Sequence, residues 1–191
     1  MPEGKGGKGP LASVAGVAAA LVAAALVVVA FLYARAPRTT RLHVGDMAPD
    51  FALPQVAATG ATVRLSHVRG GSTFLFFFDT HRDGNESYLE SFQRMQKHYA
   101  DRGLITIAVA LDPQVVTVRQ ILDRVYVEFP VLSDPLAAVV HTSYGAVRDP
   151  EAYLLDGQGR VAAVFTERVD WKASEFREQL EKVLRPASPG S

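Results

Sequence analysis

Phe74-Leu75-Phe76-Phe77-Phe78-Asp79-Thr80-His81-Arg82-Asp83-Gly84-Asn85-Glu86 is the stretch on which the reading of the whole chain turns. The segment from Ser72 to Phe78 is a short, nearly unbroken apolar run that ends in turn-forming residues, the mark of a strand buried on both faces. Beyond the polar turn, Tyr88, Leu89, Phe92, Met95 and Tyr99 recur at three- and four-residue spacing, which predicts a helix with one buried side. Asp83, with Glu86 three residues on, fits a capping box at the start of that helix.

Outward from this unit the alternation continues. Leu104 to Leu111 reads as a second buried strand ending at Asp112-Pro113, and Val118, Ile121, Leu122 and Val125 mark a second helix. Upstream, Val63 and Leu65 alternate with polar neighbours as in a short strand. Downstream, Ala152–Leu155 and Val161–Phe165 flank Asp156-Gly157-Gln158-Gly159, a hairpin turn rich in residues that tolerate positive φ. Phe176, Leu180, Val183 and Leu184 give a last amphipathic helix, and no internal repeat is present. That order argues for an α/β protein.

The composition, 48% hydrophobic and 21% charged over 191 residues, is that of a globular domain with an appendage. A net charge of zero conceals an asymmetry. Lys5, Lys8, Arg35, Arg38 and Arg41 stand against Glu3 in residues 1–41, which leaves the remainder acidic. An acidic domain is poorly suited to phosphate backbones, so no nucleic-acid partner is expected. With no cysteine in the chain, disulfides, thiolate metal sites and cysteine nucleophiles are excluded.

After a polar tail at 1–10, residues 11–34 form an uncharged run of Ala, Val, Leu and Phe broken by Ser13 and Gly16. At about 1.5 Å per residue such a helix spans the ~30 Å hydrocarbon core of a bilayer. Ala34-Arg35-Ala36 resembles a signal-peptidase site, but the run exceeds the roughly 7–15 residues of a signal h-region, so a retained anchor is expected. Residues 35–43 read as a juxtamembrane spacer, 44–185 as the domain and 186–191 as a disordered tail. Positive charges on both sides of the span leave its direction open.

Three strings outside the central unit carry a family resemblance: Val44-Gly45-Asp46-Met47-Ala48-Pro49-Asp50-Phe51-Ala52-Leu53-Pro54, Phe129-Pro130-Val131-Leu132-Ser133-Asp134-Pro135, and Tyr144-Gly145-Ala146-Val147-Arg148-Asp149-Pro150-Glu151-Ala152-Tyr153-Leu154-Leu155-Asp156. In this order they resemble the redoxin branch of the thioredoxin-like superfamily, the AhpC/TSA and TlpA/ResA type, with the Pro-Glu-x-aromatic-Leu-x-Asp pattern closest to membrane-tethered CcmG/DsbE thioredoxins. The resemblance implies a central mixed sheet flanked by helices, a tether with the domain on the extracytoplasmic side, a cis-proline at Pro150, and Cys-x-x-Cys where this chain has Arg82-Asp83-Gly84-Asn85. Arg82 and Asn85 then stand where the family's cysteines would be. Neither can act as a thiolate, which alone attacks disulfides or peroxides efficiently, so thiol catalysis is not expected.

Two readings of the altered loop remain. In one it is only a capped hydrophilic turn. In the other, Asp79, His81, Arg82, Asp83, Asn85, Asp149 and Pro150 form a face that holds a polypeptide, such as a membrane or cytochrome-assembly protein. A redoxin that depends on a cysteine-bearing partner, or a non-thiol metal-binding activity on the same face, are the alternatives. Asp79, His81 and Asp83 offer imidazole and carboxylate donors, but His43, His67, His98 and His141 fall at no ligand spacing, so neither a metal nor another cofactor is expected. No Gly-x-Ser-x-Gly elbow supports a hydrolase.

Overall fold

The computed structural model describes residues 41–58, 60–81, 84–145 and 151–184, together with Gly16, Val22 and Ala24. The chain divides into units Met1–Arg38 and Thr39–Ser191, and the fold belongs to the second. The N-terminal tail, the anchor expected at 11–34 (those three positions apart), most of the spacer and the tail at 186–191 lie outside the described residues. Among the described residues no helix is long and apolar enough to cross a membrane.

The strand predicted around Phe76 is β3 (Ser72–Phe78), and every residue of it is buried. It is preceded by an antiparallel hairpin of β1 (Ala52–Pro54) and β2 (Thr62–Arg64). Leu65, expected to continue the strand, instead opens a short 3-10 turn over Leu65–Val68. Asp50 secures that turn, accepting from the Ser66 amide at 2.8 Å and the Ser66 hydroxyl at 2.9 Å. After β3 come α1 (Asn85–Tyr99), β4 (Leu104–Ala110), α2 (Val115–Leu122), β5 (Val131–Ser133), β6 (Glu151–Leu155), β7 (Val161–Phe165) and α3 (Ser174–Glu181).

The five long-range strands form one mixed sheet in the order β5-β4-β3-β6-β7. β3, β4 and β5 are parallel, while β6 runs antiparallel to β3 and β7 to β6. Two successive crossovers step the same way along the sheet, and right-handed connections place both α1 and α2 on one face. Side-chain alternation along β3 then divides the core. Phe74, Phe76 and Phe78 join α1, Val118 and Ile121 of α2, and Phe176 and Leu180 of α3. Leu75 and Phe77 face the other way, onto Phe51, Leu53, Leu65, Tyr144 and Tyr153. Tyr144 ends a π-type turn at Val140–Tyr144, and its hydroxyl donates to the Pro49 carbonyl at 2.8 Å.

The hairpin between β6 and β7 forms as its sequence requires. Asp156 Oδ1 accepts the amides of Gln158 and Arg160, each at 2.9 Å, and Gly159 takes a φ of +86°. The sheet and its helical face carry one consequence for function: β3 and β4, being parallel, deliver their C-terminal ends to the same edge, beside the start of α1.

Candidate functional site at the end of the central strands

β3 stops where its apolar run stops. The last ladder bond runs from the Leu111 amide to the Phe78 carbonyl at 2.9 Å, and Asp79 begins the loop. Asp79 Oδ1 accepts the His81 amide at 2.8 Å, a local turn of the kind aspartate favours. Asn85, the first residue of α1, donates its side-chain amide back to the Asp79 carbonyl at 2.6 Å. The loop is thereby clamped at both ends by its own polar side chains.

A third clamp comes from a residue that the sequence did not single out. Asp112, 1% exposed, follows β4 and accepts the Thr80 amide at 3.3 and 3.1 Å on its two oxygens, along with the Thr80 hydroxyl. A buried carboxylate requires such donors, because an unsatisfied charge in the interior is costly. The same carboxylate lies 3.7 Å from His81 Nδ1, which itself sits 2.5 Å from Asp79 Oδ1. The hydrogen bond His81 donates to Asp79, and the charge of that carboxylate, raise the His81 imidazole above its usual value; weak burial opposes this and Asp112 adds to it. His81 remains largely open to solvent.

The expected site residues therefore separate. Asp79 and His81 come together at the surface. Asn85 is 7% exposed and turned inward onto the Asp79 carbonyl, so it supports the loop rather than displaying an amide on a recognition face. Arg82, Asp83, Asp149 and Pro150 lie outside the described residues. The capping box is also corrected. Gly84 is the N-cap of α1, with φ +80° and no side-chain cap, and Glu86 is drawn away to Arg124 Nε at 2.6 Å. Ser87 Oγ donates instead to the Gly84 carbonyl at 2.9 Å.

Gly84 meets two demands: a left-handed backbone and close approach of Arg168, whose Nη1 would lie 2.8 Å from a Cβ at this position. Arg168 also lies 5.4 Å above the Tyr88 ring, while the Val169 amide donates to the Tyr88 hydroxyl at 2.9 Å. Gly84→Ala is expected to destabilise the protein by about 1–2 kcal/mol, mainly from backbone strain, since the guanidinium can swing aside. Urea unfolding checks this; an unchanged midpoint would show that the turn relaxes freely.

Two hollows adjoin the loop. One, about 130 Å³, is lined by His81, Asp112, Pro113, Gln114 and Thr117. The other, about 490 Å³, runs over the start of α1 between Thr80, Glu86, Glu90 and Arg124. A larger groove of about 660 Å³ lies at the far end of α1, where Arg102 and Glu181 already satisfy each other at 2.6 and 2.7 Å. That groove has no link to the loop chemistry.

Comparison with known proteins agrees with this architecture. The chain is 25% identical over 149 residues to the thiol-disulfide oxidoreductase ResA of Bacillus thuringiensis subsp. konkukian, covering 78% of this chain and 81% of that one. It is 30% identical over 138 residues to a protein of Mycobacterium tuberculosis described as a peroxiredoxin, covering 71% of this chain and 84% of the relative. Among solved structures, one from Chlorobium tepidum described as a thiol:disulfide interchange protein DsbE matches with a TM-score of 0.65 and 27% identity, over 74% of this chain and 98% of that one. A secreted thiol-disulfide isomerase of Corynebacterium glutamicum shares the fold, with a TM-score of 0.62 at 19% identity over 76% of this chain and 96% of its own. These likenesses establish a thioredoxin-like fold. Residues 44–164, more than half of the sequence, match the AhpC/TSA family, and with a sheet of that type built around a loop that contains no cysteine, the chain belongs to the AhpC/TSA family as a cysteine-less member.

Proposed function

We propose that this chain is a membrane-anchored redoxin module that carries no thiol chemistry and holds a polypeptide partner at the membrane surface. The observation that carries the reading is the contrast between a fully formed core and an active-site loop without sulfur. All seven residues of β3 are buried and regularly paired to β4, yet the loop that β3 feeds offers Asp79, Thr80 and His81. A domain released from selection would lose core strands as readily as loop residues. The binding face comprises Asp79, His81, Arg82, Asp83, Asp149 and Pro150, with Asn85 as its internal support. Residues 11–34 tether it, and the domain lies on the extracytoplasmic side.

Two measurements on the full-length protein test this. Detergent-solubilised chain is expected neither to reduce a peptide disulfide nor to consume peroxide above a blank; turnover without an added partner would overturn the reading. A pull-down from native membranes, solubilised by detergent and not by alkaline carbonate, is expected to retain a defined partner. That partner is lost when Arg82→Ala and Asp149→Ala are combined. Equal retention by the double variant would place the interface elsewhere and reject this face.

A further inference from the structure

We propose that Asp79, His81 and Asp112 form a binding site for one divalent first-row transition cation, with zinc as the simplest occupant. The site shares Asp79 and His81 with the proposed polypeptide-binding face but does not rest on that reading, and either can fail alone.

The donors come from two places in the chain, brought together by the parallel pairing of β3 and β4. One ligand atom from each of the three residues lies within 4.8 Å of the other two. Around a common ion with bond lengths near 2.0–2.2 Å, tetrahedral ligand atoms stand roughly 3.4 Å apart. His81 Nδ1 is 2.5 Å from Asp79 Oδ1 and 3.7 Å from Asp112 Oδ1, so shifts of about an ångström reach that spacing. His81 is the group that can make them, because its side chain is 73% exposed. The charge also balances: a neutral imidazole and two carboxylates carry −2, matched by one divalent ion.

The surroundings are those of a prepared ligand set. The Thr80 hydroxyl and amide orient Asp112, as ligating carboxylates require. They use only part of a carboxylate's roughly four acceptor positions, which leaves room for a metal bond. Asp79 is fixed through its carbonyl by Asn85. On the open side, the hollow of about 130 Å³ leaves room for water to complete a coordination shell around three protein ligands. One nitrogen and two oxygens suit zinc, manganese or ferrous iron and disfavour cuprous copper, which prefers sulfur. The loop histidine that lacked a second histidine in the sequence thus finds a buried aspartate instead.

The test is calorimetric titration of zinc into untagged, metal-stripped, full-length protein in mild detergent. One saturable site per chain is expected. His81→Ala should weaken it by at least about tenfold, the scale seen even when residues behind metal ligands are lost. His67→Ala, at an exposed histidine outside the cluster, should leave affinity unchanged. Saturating zinc should also raise the melting temperature of wild type and not of His81→Ala. Because Asp112 is buried and holds Thr80, Asp79→Asn serves as the second ligand variant, at a position solvent reaches. Absence of saturable binding, or binding that both His81→Ala and Asp79→Asn leave within about twofold, well short of the loss a ligand should cause, overturns the proposal.

Discussion

Phe76→Ala is expected to lower the unfolding free energy by about 3–5 kcal/mol, the range for deleting a buried aromatic ring from a core that cannot close the gap. Phe76 is 1% exposed at the centre of the sheet. Its ring centroid lies 4.6 Å from Phe92, 5.7 Å from Phe78, 5.9 Å from Phe74, 6.0 Å from Tyr88 and 6.2 Å from Phe129. Removing it strips five rings of a neighbour at once, and the 15-residue α1, about four turns of rigid backbone, resists moving inward. Set against a usual total of about 5–15 kcal/mol, such a loss takes many domains to the edge of folding. Trp171, the only tryptophan, reports the outcome, since its indole N–H donates to Ser91 on α1 at 3.0 Å. A lower urea midpoint with an unchanged slope would locate the effect in stability. Phe76→Leu keeps apolar volume and should lose roughly 1–2 kcal/mol. Equal losses for the two variants would mean that retained apolar volume recovers nothing and that the site depends on the ring's own shape and contacts.

The same strand shows why the fold was legible before its structure. An apolar run such as Phe74–Phe78, short and bounded by turn-forming residues, suits the middle of a sheet with both faces covered, and the helical spacing of Tyr88 to Tyr99 supplies one of the covers. Such patterns are local, and local patterns survive into the fold. What the sequence hid depended on distant partners. Asp83 and Glu86 have the spacing of a capping box, but Glu86 finds Arg124, 38 residues along, and Gly84 takes the cap. Asp112 reads as the polar end of a strand. It becomes part of the site only when β4 is laid parallel to β3 with Phe78 opposite Ala110. That pairing could have been anticipated from two consecutive buried runs separated by a helix, and it would have placed Asp112 beside Thr80. Asn85 was legible as a former cysteine position but not as a buried clamp, because its direction depends on where α1 enters.

Glu151 illustrates the same limit, and Glu151→Ala is expected to destabilise the protein by about 1–3 kcal/mol, the cost of leaving a buried polar partner unsatisfied, because the Arg41 charge left behind is part-exposed and reaches water. The sequence shows Glu151 only as part of a family-like string. In the fold it is fully buried, the first residue of β6, paired in register with Phe77 of β3. Its Oε1 accepts the Tyr153 hydroxyl at 2.6 Å and Arg41 Nε at 3.3 Å, with Arg41 Nη2 also 3.3 Å away but not aligned for a hydrogen bond. Burial first, and the hydrogen bond to Glu151 second, push the Tyr153 phenol far above its usual range, so it stays a donor at any physiological pH. Truncation to alanine leaves that hydroxyl and the inner face of Arg41 without an acceptor, and an unsatisfied buried polar group costs about 1–3 kcal/mol. Glu151→Gln keeps an acceptor oxygen for Tyr153 and loses only the charge, so it should fall between Glu151→Ala and wild type. Tyr153→Phe removes a donor from a carboxylate that retains Arg41, and should cost least, on the order of 1 kcal/mol. If instead Tyr153→Phe matched Glu151→Ala, the phenol bond rather than the Arg41 pairing would be what holds the start of β6. The distinction bears on the site, because Arg41 belongs to the expected spacer and opens the continuous described chain that leads into the domain. An ion pair there fixes the chain's entry into the domain to the strand beside β3, whose own end carries Asp79.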